Sequence, residues 1–326
     1  LVAGTYSVVV SDENGCEFPI EIEITQNEEL TAEHITSEYG IYQISCRNED
    51  DGSIELTPTG GTGIYFYQWS AVDVEGQGID LTQDTPIQSD LIAGTYSVVV
   101  SDENGCEFPI EIVMTQPDEG VEIEETHSDY TGQGVSCFGD NDGFIDVTVT
   151  GGAGGYIYEW SAVDPNGQTI TVPANTDGDI TGLVAGTYTL IATDSNGCSN
   201  TEIVEITQNE ELTASETASD FTGQGISCFG EDDGSINLET NGGTGVYEYA
   251  WSAVDADGQT ITVPAADANG NITGLVAGTY SVVVSDENGC EFTIEIEITQ
   301  NEELTAEHTT SEYGIYQISC RNEDDG

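Results

Sequence analysis

The 326-residue chain contains no lysine and only two arginines, Arg47 and Arg321, against 62 acidic residues. The resulting formal net charge of −60 repels phosphate backbones and anionic membrane surfaces, so nucleic acid is excluded as a partner. Solvated carboxylates that keep neighbouring domains apart are the default explanation of this charge. The more specific explanations of the charge are binding of divalent cations and life in saline water.

Long apolar runs are also missing. No segment is long and apolar enough to cross a bilayer, and no signal peptide is evident, so no membrane insertion is expected. Prolines number only eight beside 39 glycines, and no helical periodicity is present. Because Val, Ile, Thr and Tyr favour strands, the sequence predicts an all-β chain with many tight turns.

One stretch recurs four times. It reads L-[VI]-A-G-T-Y, then an alternating run, then D-x-N-G-C, and its copies begin at Leu1, Leu91, Leu183 and Leu275. Asn-Gly after an alternating run is a strong hairpin signal, since both turn positions tolerate positive φ. Each copy therefore predicts a buried strand that starts at the tyrosine, followed by a tight turn ending in Cys16, Cys106, Cys198 or Cys290.

The copies are about 90 to 92 residues apart, which predicts a tandem array of domains. We expect the end of one domain in residues 1–26, whole domains in residues 27–116, 117–208 and 209–300, and the start of another in residues 301–326. Residues 1–52 and 275–326 match except that Pro19 becomes Thr293 and Ile35 becomes Thr309. The larger unit is thus about 274 residues, and we expect the chain to be an internal stretch of a longer array.

Each whole domain is predicted to hold seven strands, with a tryptophan on strand C and a tyrosine at the start of strand F. This pattern is typical of an immunoglobulin-like sandwich, in which the tyrosine bonds to backbone just upstream. In Y-I-Y-E-W and Y-E-Y-A-W the glutamates must face outward, so the aromatic face is assigned to the core. Sugar stacking is the less favoured role for the tryptophans. The predicted core comprises Trp69, Trp160, Trp251, Tyr96, Tyr188 and Tyr280.

The ordered motifs C-F-G-D-N-D-G-F-I, G-G-A-G-G-Y-I-Y-E-W, L-V-A-G-T-Y-T-L, D-S-N-G-C and I-T-Q resemble the SprB repeat along the whole chain. That resemblance implies a very large surface adhesin of gliding Bacteroidota, exported by type IX secretion. It further implies a filament moved along the cell surface by the gliding machinery. The loops between strands A and B (the A–B loops) that contain Cys46 and Cys320 depart from the pattern. They have Asn48 and Asn322 where Gly139 and Gly230 stand. Asparagine tolerates the left-handed conformation, so we expect the turn to survive.

Eight cysteines at fixed repeat positions predict disulfides and hence export from the cell. Pairs within a repeat would be Cys46–Cys106, Cys137–Cys198 and Cys228–Cys290. Pairs between sequence neighbours would be Cys16–Cys46, Cys106–Cys137, Cys198–Cys228 and Cys290–Cys320. In an immunoglobulin-like domain, however, the A–B loop and the F–G turn lie at opposite ends, roughly 25 Å apart, beyond the reach of a disulfide. Head-to-tail stacking instead favours Cys46–Cys198 and Cys137–Cys290, with Cys16, Cys106, Cys228 and Cys320 paired outside this stretch.

The same junctions are rich in carboxylates, which are the hard oxygen ligands that calcium prefers. A calcium site there would draw on A–B loops, a linker and F–G turns. The candidates are Asp140, Asp142, Asp194, Glu210, Glu211, Asp232, Asp233 and Asp286. Solvated Asp-Gly turns are the favoured explanation of these residues, and no other cofactor is indicated.

No catalytic constellation is visible, so we do not expect an enzyme. The histidines His34, His127 and His308 are interpreted as surface residues. The leading hypothesis is the structural stalk of an extracellular adhesin, whose direct partners are neighbouring repeats. Surface polysaccharide and the gliding or secretion machinery would be contacted by regions outside this stretch. The alternative is a repeated adhesion module that itself binds polysaccharide or calcium, as in surface attachment or biofilms.

Overall fold

A computed structural model describes residues 1–81, 84–172, 177–312, 315–316, 320–322 and 324. All regular elements in this part of the chain are strands, and it contains no helix suited to crossing a membrane. Its residues form two compact units. The first comprises residues 1–126, 145–180 and 187–204, and the second comprises residues 127–144, 181–186 and 205–326. The predicted opening of another domain in residues 301–326 lies partly outside the described residues.

The first unit contains the whole first repeat, a sandwich of two antiparallel sheets. One sheet has the order β3–β4–β7 and the other β6–β5–β8–β9, which corresponds to strands A, B, E and C′, C, F, G of the immunoglobulin-like fold. The bounds are β3 Thr31–Thr36, β4 Gly52–Thr59, β5 Tyr65–Asp73, β6 Gly78–Ile79, β7 Ile87–Leu91, β8 Gly94–Asp102 and β9 Glu107–Met114. The all-β, immunoglobulin-like prediction is confirmed.

The alternating residues of β8 form the centre of this sandwich. Tyr96, Val98 and Val100 are at most 1% exposed, while the residues between them reach the other face. The Tyr96 hydroxyl donates to the Ile92 carbonyl at 2.9 Å, four residues upstream, which is the predicted tyrosine corner. Tyr188 and Tyr280 are equally buried.

The tryptophans are less buried than predicted. Each is half-buried at the edge of its core, because the indole N–H must reach a hydrogen-bond acceptor. The acceptors are loop carbonyls at 2.9–3.0 Å: Trp69 donates to Thr85, Trp160 to Gly178 and Trp251 to Gly270. The tryptophans thus tie the loop before strand E to the core.

The same unit begins with a two-stranded sheet of β1 (Gly4–Ser11) and β2 (Glu17–Ile24). Ile20 and Ile22, which alternate with Glu21 and Glu23 along β2, are 37% and 49% exposed. Their counterparts in the third repeat, Ile294 and Ile296, are half-buried and buried. The strand pattern is the same in both places. Burial requires the opposing sheet, which the hairpin lacks among the described residues.

The second repeat contributes strands to both units. Its strands are β10 Glu122–His127, β11 Gly143–Thr150, β12 Ile157–Val163, β13 Thr169–Ile170, β14 Ile180–Leu183, β15 Gly186–Thr193 and β16 Ser199–Ile206. In the first unit, β12 pairs with β15 so that Trp160 lies opposite Leu190. This is the same C–F pairing that places Trp69 opposite Val98 in the first repeat.

The second unit contains the whole third repeat, with sheets β17–β18–β20 and β19–β21–β22. Its strands are β17 Thr213–Ala218, β18 Gly234–Asn241, β19 Tyr247–Val254, β20 Ile272–Leu275, β21 Gly278–Asp286 and β22 Glu291–Ile298. Strand C′ is reduced to a bridge between Val254 and Thr260. Tyr280, Val282 and Val284 are fully buried in its core.

Candidate functional site

The F–G turns, residues 102–106, 194–198 and 286–290, are each organised by their first aspartate. Asp194 Oδ1 accepts the backbone N–H groups of Asn196 and Cys198 at 2.9 Å, and Asp194 Oδ2 accepts that of Ala153 at 2.7 Å. The Asp194 side chain is buried, and both of its carboxylate oxygens accept hydrogen bonds. The turn is fixed to the glycine-rich corner before strand C. Asp102 and Asp286 repeat these bonds.

These hydrogen bonds stabilise the ionised form of the carboxylate. The pKa of Asp102 is lowered from its ordinary value mainly by the backbone N–H of Cys106. Desolvation opposes this shift, but the hydrogen bonds from Cys106, Asn104 and Thr62 together outweigh it. The F–G turn of the first repeat therefore carries a negative charge at neutral pH.

The first two glycines of the corner, Gly151 and Gly152, leave no room for a side chain. Gly152 has φ of 56°, and a Cβ there would lie 2.4 Å from Asp194 Oδ2 and 2.9 Å from Val121 Cγ2. Neighbouring Gly151 is packed against the linker, since a Cβ added to it would lie within about 2 Å of the Gly120 carbonyl oxygen. Linker, corner and F–G turn thus form one packed end of the second repeat.

The A–B loops, residues 37–51, 128–142 and 219–233, are organised by their last aspartate. Asp142 Oδ1 accepts the backbone N–H of Ser136 at 3.1 Å, and Asp51 and Asp233 bond Ser45 and Ser227 in the same way. The hydrogen bonds of Ser227 lower the pKa of Asp233. These carboxylates hold the shape of the loop.

A glutamine at the end of strand G fixes the A–B loop of its own repeat. Gln208 Oε1 accepts the backbone N–H of Gly139 at 2.9 Å, and Gln116 does the same for Asn48 at 2.8 Å. Asn48 has φ of 64° and Gly139 of 78°, while Asn322 has φ of 73°. The expectation that asparagine would preserve this left-handed turn is confirmed.

The first unit joins the A–B loop of the first repeat to the F–G turn of the second. Asn196 Nδ2 donates to the carbonyls of Tyr39 and Ser45 at 3.3 and 3.1 Å. Beside it, Cys46 and Cys198 form a disulfide with Cα atoms 5.7 Å apart. An asparagine clamp and a covalent bond therefore hold the two repeats together here.

The second unit contains the corresponding junction. Asn288 Nδ2 donates to the carbonyls of Tyr130 and Ser136 at 3.3 and 3.1 Å. Cys137 and Cys290 form the disulfide, with Cα atoms 5.6 Å apart. Two junctions thus have the same geometry although their sequences differ.

These bonds are the cross-junction pairs that the sequence favoured. Because Cys46, Cys137, Cys198 and Cys290 are each used once, the pairings within a repeat and between sequence neighbours are not formed by them. The remaining cysteines, Cys16, Cys106, Cys228 and Cys320, are free and exposed. That they pair outside this stretch stays a prediction.

The candidate calcium ligands are not gathered into a site. The described residues contain no group of three or more His, Cys, Asp or Glu side chains placed to hold a metal. Asp286 and Asp194 are bonded to backbone N–H groups, and Asp142 and Asp233 to their own loops. Asp140 Oδ2 accepts the Ser136 hydroxyl, whereas Glu210, Glu211 and Asp232 are exposed. Most of these carboxylates act as internal acceptors, which the sequence hypothesis did not anticipate.

Two sets of functional residues were missed from the sequence. They are the clamping asparagines Asn196 and Asn288 and the loop-fixing glutamines Gln116, Gln208 and Gln300. The signal was present, since every F–G turn reads N-G-C and every strand G ends in T-Q. Asn-Gly by itself predicts only a turn, and the second role of the asparagine depends on a loop about 150 residues away.

The family comparison identifies one repeat type. The model described as SprB repeat matches residues 41–74, 133–165 and 224–256, once in each whole repeat. Each match begins in the A–B loop and ends just after strand C. A search of curated proteins found no match.

Among solved structures, the chain is similar to several structures described as adhesins or adhesion proteins. One is a 1.5-MDa bacterial ice-binding adhesin studied for host cell surface retention, at 17% identity and TM-score 0.40 over 85% of this chain and 99% of that chain. Another is a Ca²⁺-stabilized adhesin of an Antarctic bacterium, at 16% identity and TM-score 0.38 over 91% and 80%. A third is a tetra-tandem repeat from the extending region of a large adhesion protein, at 17% identity and TM-score 0.30 over 92% and 82%.

Proposed function

We propose that this chain, which carries three SprB repeats, is a force-bearing stalk region of a cell-surface adhesin. More specifically, it would belong to an exported filament that gliding Bacteroidota secrete by the type IX route and move over the cell surface. The observation that carries the proposal is the covalent bond between consecutive repeats, Cys46–Cys198, which recurs as Cys137–Cys290.

These two bonds overlap along the chain, because Cys137 lies between Cys46 and Cys198, and Cys198 lies between Cys137 and Cys290. Three stretches of chain therefore run in parallel between the two disulfides: residues 46–137, 137–198 and 198–290. The shortest stretch, of about 61 residues, limits how far the two disulfides can be pulled apart. Without the disulfides, about 244 residues could extend, at roughly 3.5 Å per residue. Such a linkage suits a filament under tension.

The charge distribution supports the same function. Outward residues such as Glu295 and Glu297 on β22 are negatively charged, and charges on an edge strand oppose sheet-to-sheet aggregation. With a net charge of −60, neighbouring filaments would repel each other and stay separate. In this proposal, surface polysaccharide and the gliding or secretion machinery are contacted by other regions of the filament.

Bead tracking on living cells that display the protein tests the function. Beads coated with antibody against this repeat region should bind to the cell surface and travel along it. Beads coated with an unrelated antibody provide the control. Binding without directed movement would reject the gliding role and leave the adhesin stalk, whereas absence of surface binding on intact cells would reject both.

A further inference from the structure

A cavity in the first unit lies where a third junction of the same kind would form. It has a volume of about 750 Å³ and is lined by the linker to Leu30, by Gly61 at the corner, and by Asn104, Cys106 and Phe108 around the F–G turn. Cys106 is a free, exposed thiol at its rim.

The equivalent place in the second repeat is occupied. There, Val121, Gly152 and Cys198 stand where the first repeat has Leu30, Gly61 and Cys106. Cys46, Arg47 and Glu49 of the preceding A–B loop line the same cavity as these residues, and its volume is about 430 Å³. The two repeats also differ in the exposure of the F–G turn. Asn196 and Cys198 of the second repeat are half-buried, whereas Asn104 and Cys106 of the first repeat are exposed.

The free A–B loop in the second unit has the form that such a cavity receives. Ser227 N–H bonds Asp233, and Gly230 N–H bonds Gln300 Oε1 at 3.0 Å, as in the two loops that are already joined. Its cysteine, Cys228, is free and exposed. The loop is therefore preorganised without its partner.

Sequence equivalence identifies which two ends belong together. Because residues 275–326 repeat residues 1–52, Cys290 is the counterpart of Cys16 and Cys320 that of Cys46, and both counterpart junctions are present in the structure. Cys106 and Cys228 represent the junction type that is not formed among the described residues. In an array with this period, the next counterpart of Cys106 would follow Cys228 by 152 residues, the separation that Cys46–Cys198 spans.

We propose that the Cys106 cavity is a docking site for the Cys228 A–B loop of a second copy of this chain, sealed by a Cys106–Cys228 disulfide. Asn104 would clamp the carbonyls of Phe221 and Ser227, as Asn196 clamps Tyr39 and Ser45. Copies of the chain would then join end to end. This assembly is independent of the gliding role, so either can fail without the other.

The bond forms by thiol–disulfide exchange with a small disulfide such as oxidised glutathione. The Cys106 thiolate attacks one glutathione sulfur and releases a glutathione thiolate, and the Cys228 thiolate then displaces the second glutathione. Two protein thiols are oxidised to one disulfide, and one oxidised glutathione is reduced to two thiols that take up the two protons.

The test uses the 326-residue chain as an equal mixture of light and ¹⁵N-labelled copies in a glutathione redox buffer. Non-reducing gels should show a ladder of oligomers, and peptide mapping should give Cys106–Cys228 as the main new cross-link, with mixed isotopes. Cys106→Ser should abolish the ladder, while Cys16→Ser with Cys320→Ser should preserve it. Cross-links spread evenly over the four free cysteines, or a Cys106–Cys228 bond confined to single chains, would overturn the proposal.

The clamp provides a second arm that leaves all thiols intact. Asn104→Ala should slow Cys106–Cys228 formation about fivefold, because it removes two hydrogen bonds to the docked loop. Asn166→Ala, in the hairpin turn at residues 164–167, is the matched control and should leave the rate unchanged. Formation of Cys46–Cys198 verifies that each variant folds. Equal rates for Asn104→Ala and the wild type would show that the thiols react without docking and would contradict the proposal.

Discussion

The side-chain amide of Asn196 donates to the carbonyl of Ser45, 151 residues earlier in the chain, at 3.1 Å. The pair Asn288 and Ser136 repeats the bond at the same distance. A residue whose local role is to form a hairpin turn thus also recognises the preceding repeat. The same five-residue turn combines an internal anchor (aspartate), a clamp (asparagine) and a covalent bond (cysteine).

Removing the clamp should expose its neighbouring disulfide. In Asn196→Ala, the Cys46–Cys198 bond should be reduced by dithiothreitol several-fold faster, since two carbonyl hydrogen bonds no longer hold the loop. Cys137–Cys290 in the same molecule is the internal reference and should keep its rate. Asn166→Ala is the matched control. Quenched alkylation and mass spectrometry follow both bonds, and an unchanged Cys46–Cys198 rate would contradict the clamp.

The glycine corner offers a sharp steric test. Gly152→Ala should lower the unfolding free energy by about 1–3 kcal/mol, because the added Cβ would meet Asp194 and Val121 at positive φ. Gly154→Ala is the control, since Gly154 also has positive φ, 72°, but has nothing within 4 Å of an added Cβ. Chemical denaturation compares them. Equal losses would mean that backbone conformation alone matters.

The Asp102 anchor should give a pH-dependent contribution to stability. Its folded pKa lies below the ordinary value, so its stabilisation is present above the unfolded pKa of about 3.9 and is lost as pH falls through the folded pKa. The melting-temperature difference between wild type and Asp102→Asn should therefore shrink between pH 6 and pH 3. Glu55→Gln controls for loss of one negative charge. A difference that stays constant or grows towards acid pH would contradict the anchor.

The tyrosine corner should make the stability of the protein depend on pH in the alkaline range. Tyr96→Phe removes the hydrogen bond to Ile92 and should cost about 1 kcal/mol in unfolding free energy at neutral pH, with Tyr42→Phe as control. Burial raises the pKa of Tyr96 to about 12, so wild-type stability should fall as pH rises from about 10 towards 12. A fall of equal size in Tyr96→Phe over that range would assign it to other groups.

The sandwich could be predicted from the sequence because the patterns that specify its strands lie within short stretches of the chain. Alternation fixes which residues of β8 face inward, and the G-T-Y run places Tyr96 at the corner. Topology also favoured the cross-junction cysteine pairs, since the A–B loop and F–G turn of one repeat are separated by a strand length. Periodicity assigned Trp69 to the core, but it could not reveal the loop carbonyl of Thr85 that keeps the indole at the edge.

The bonding of the junction carboxylates could not be predicted for a related reason. Sequence shows that carboxylates such as Asp286 cluster near the junctions, but not that backbone N–H groups already occupy their oxygens. The clamp of Asn196 was hidden because its acceptors come from another repeat. Such contacts become visible only when the fold brings distant loops together.

Single-molecule pulling from the two ends of the chain tests the central claim, that overlapping disulfides couple consecutive repeats. With the disulfides intact, the stretch between Cys46 and Cys290 should extend by at most about 21 nm, set by its shortest path at roughly 3.5 Å per residue. After reduction it should reach about 85 nm, so full extension should increase by about 64 nm. Cys198→Ser with Cys290→Ser should behave as the reduced protein without any reductant. Equal extension before and after reduction would contradict the account.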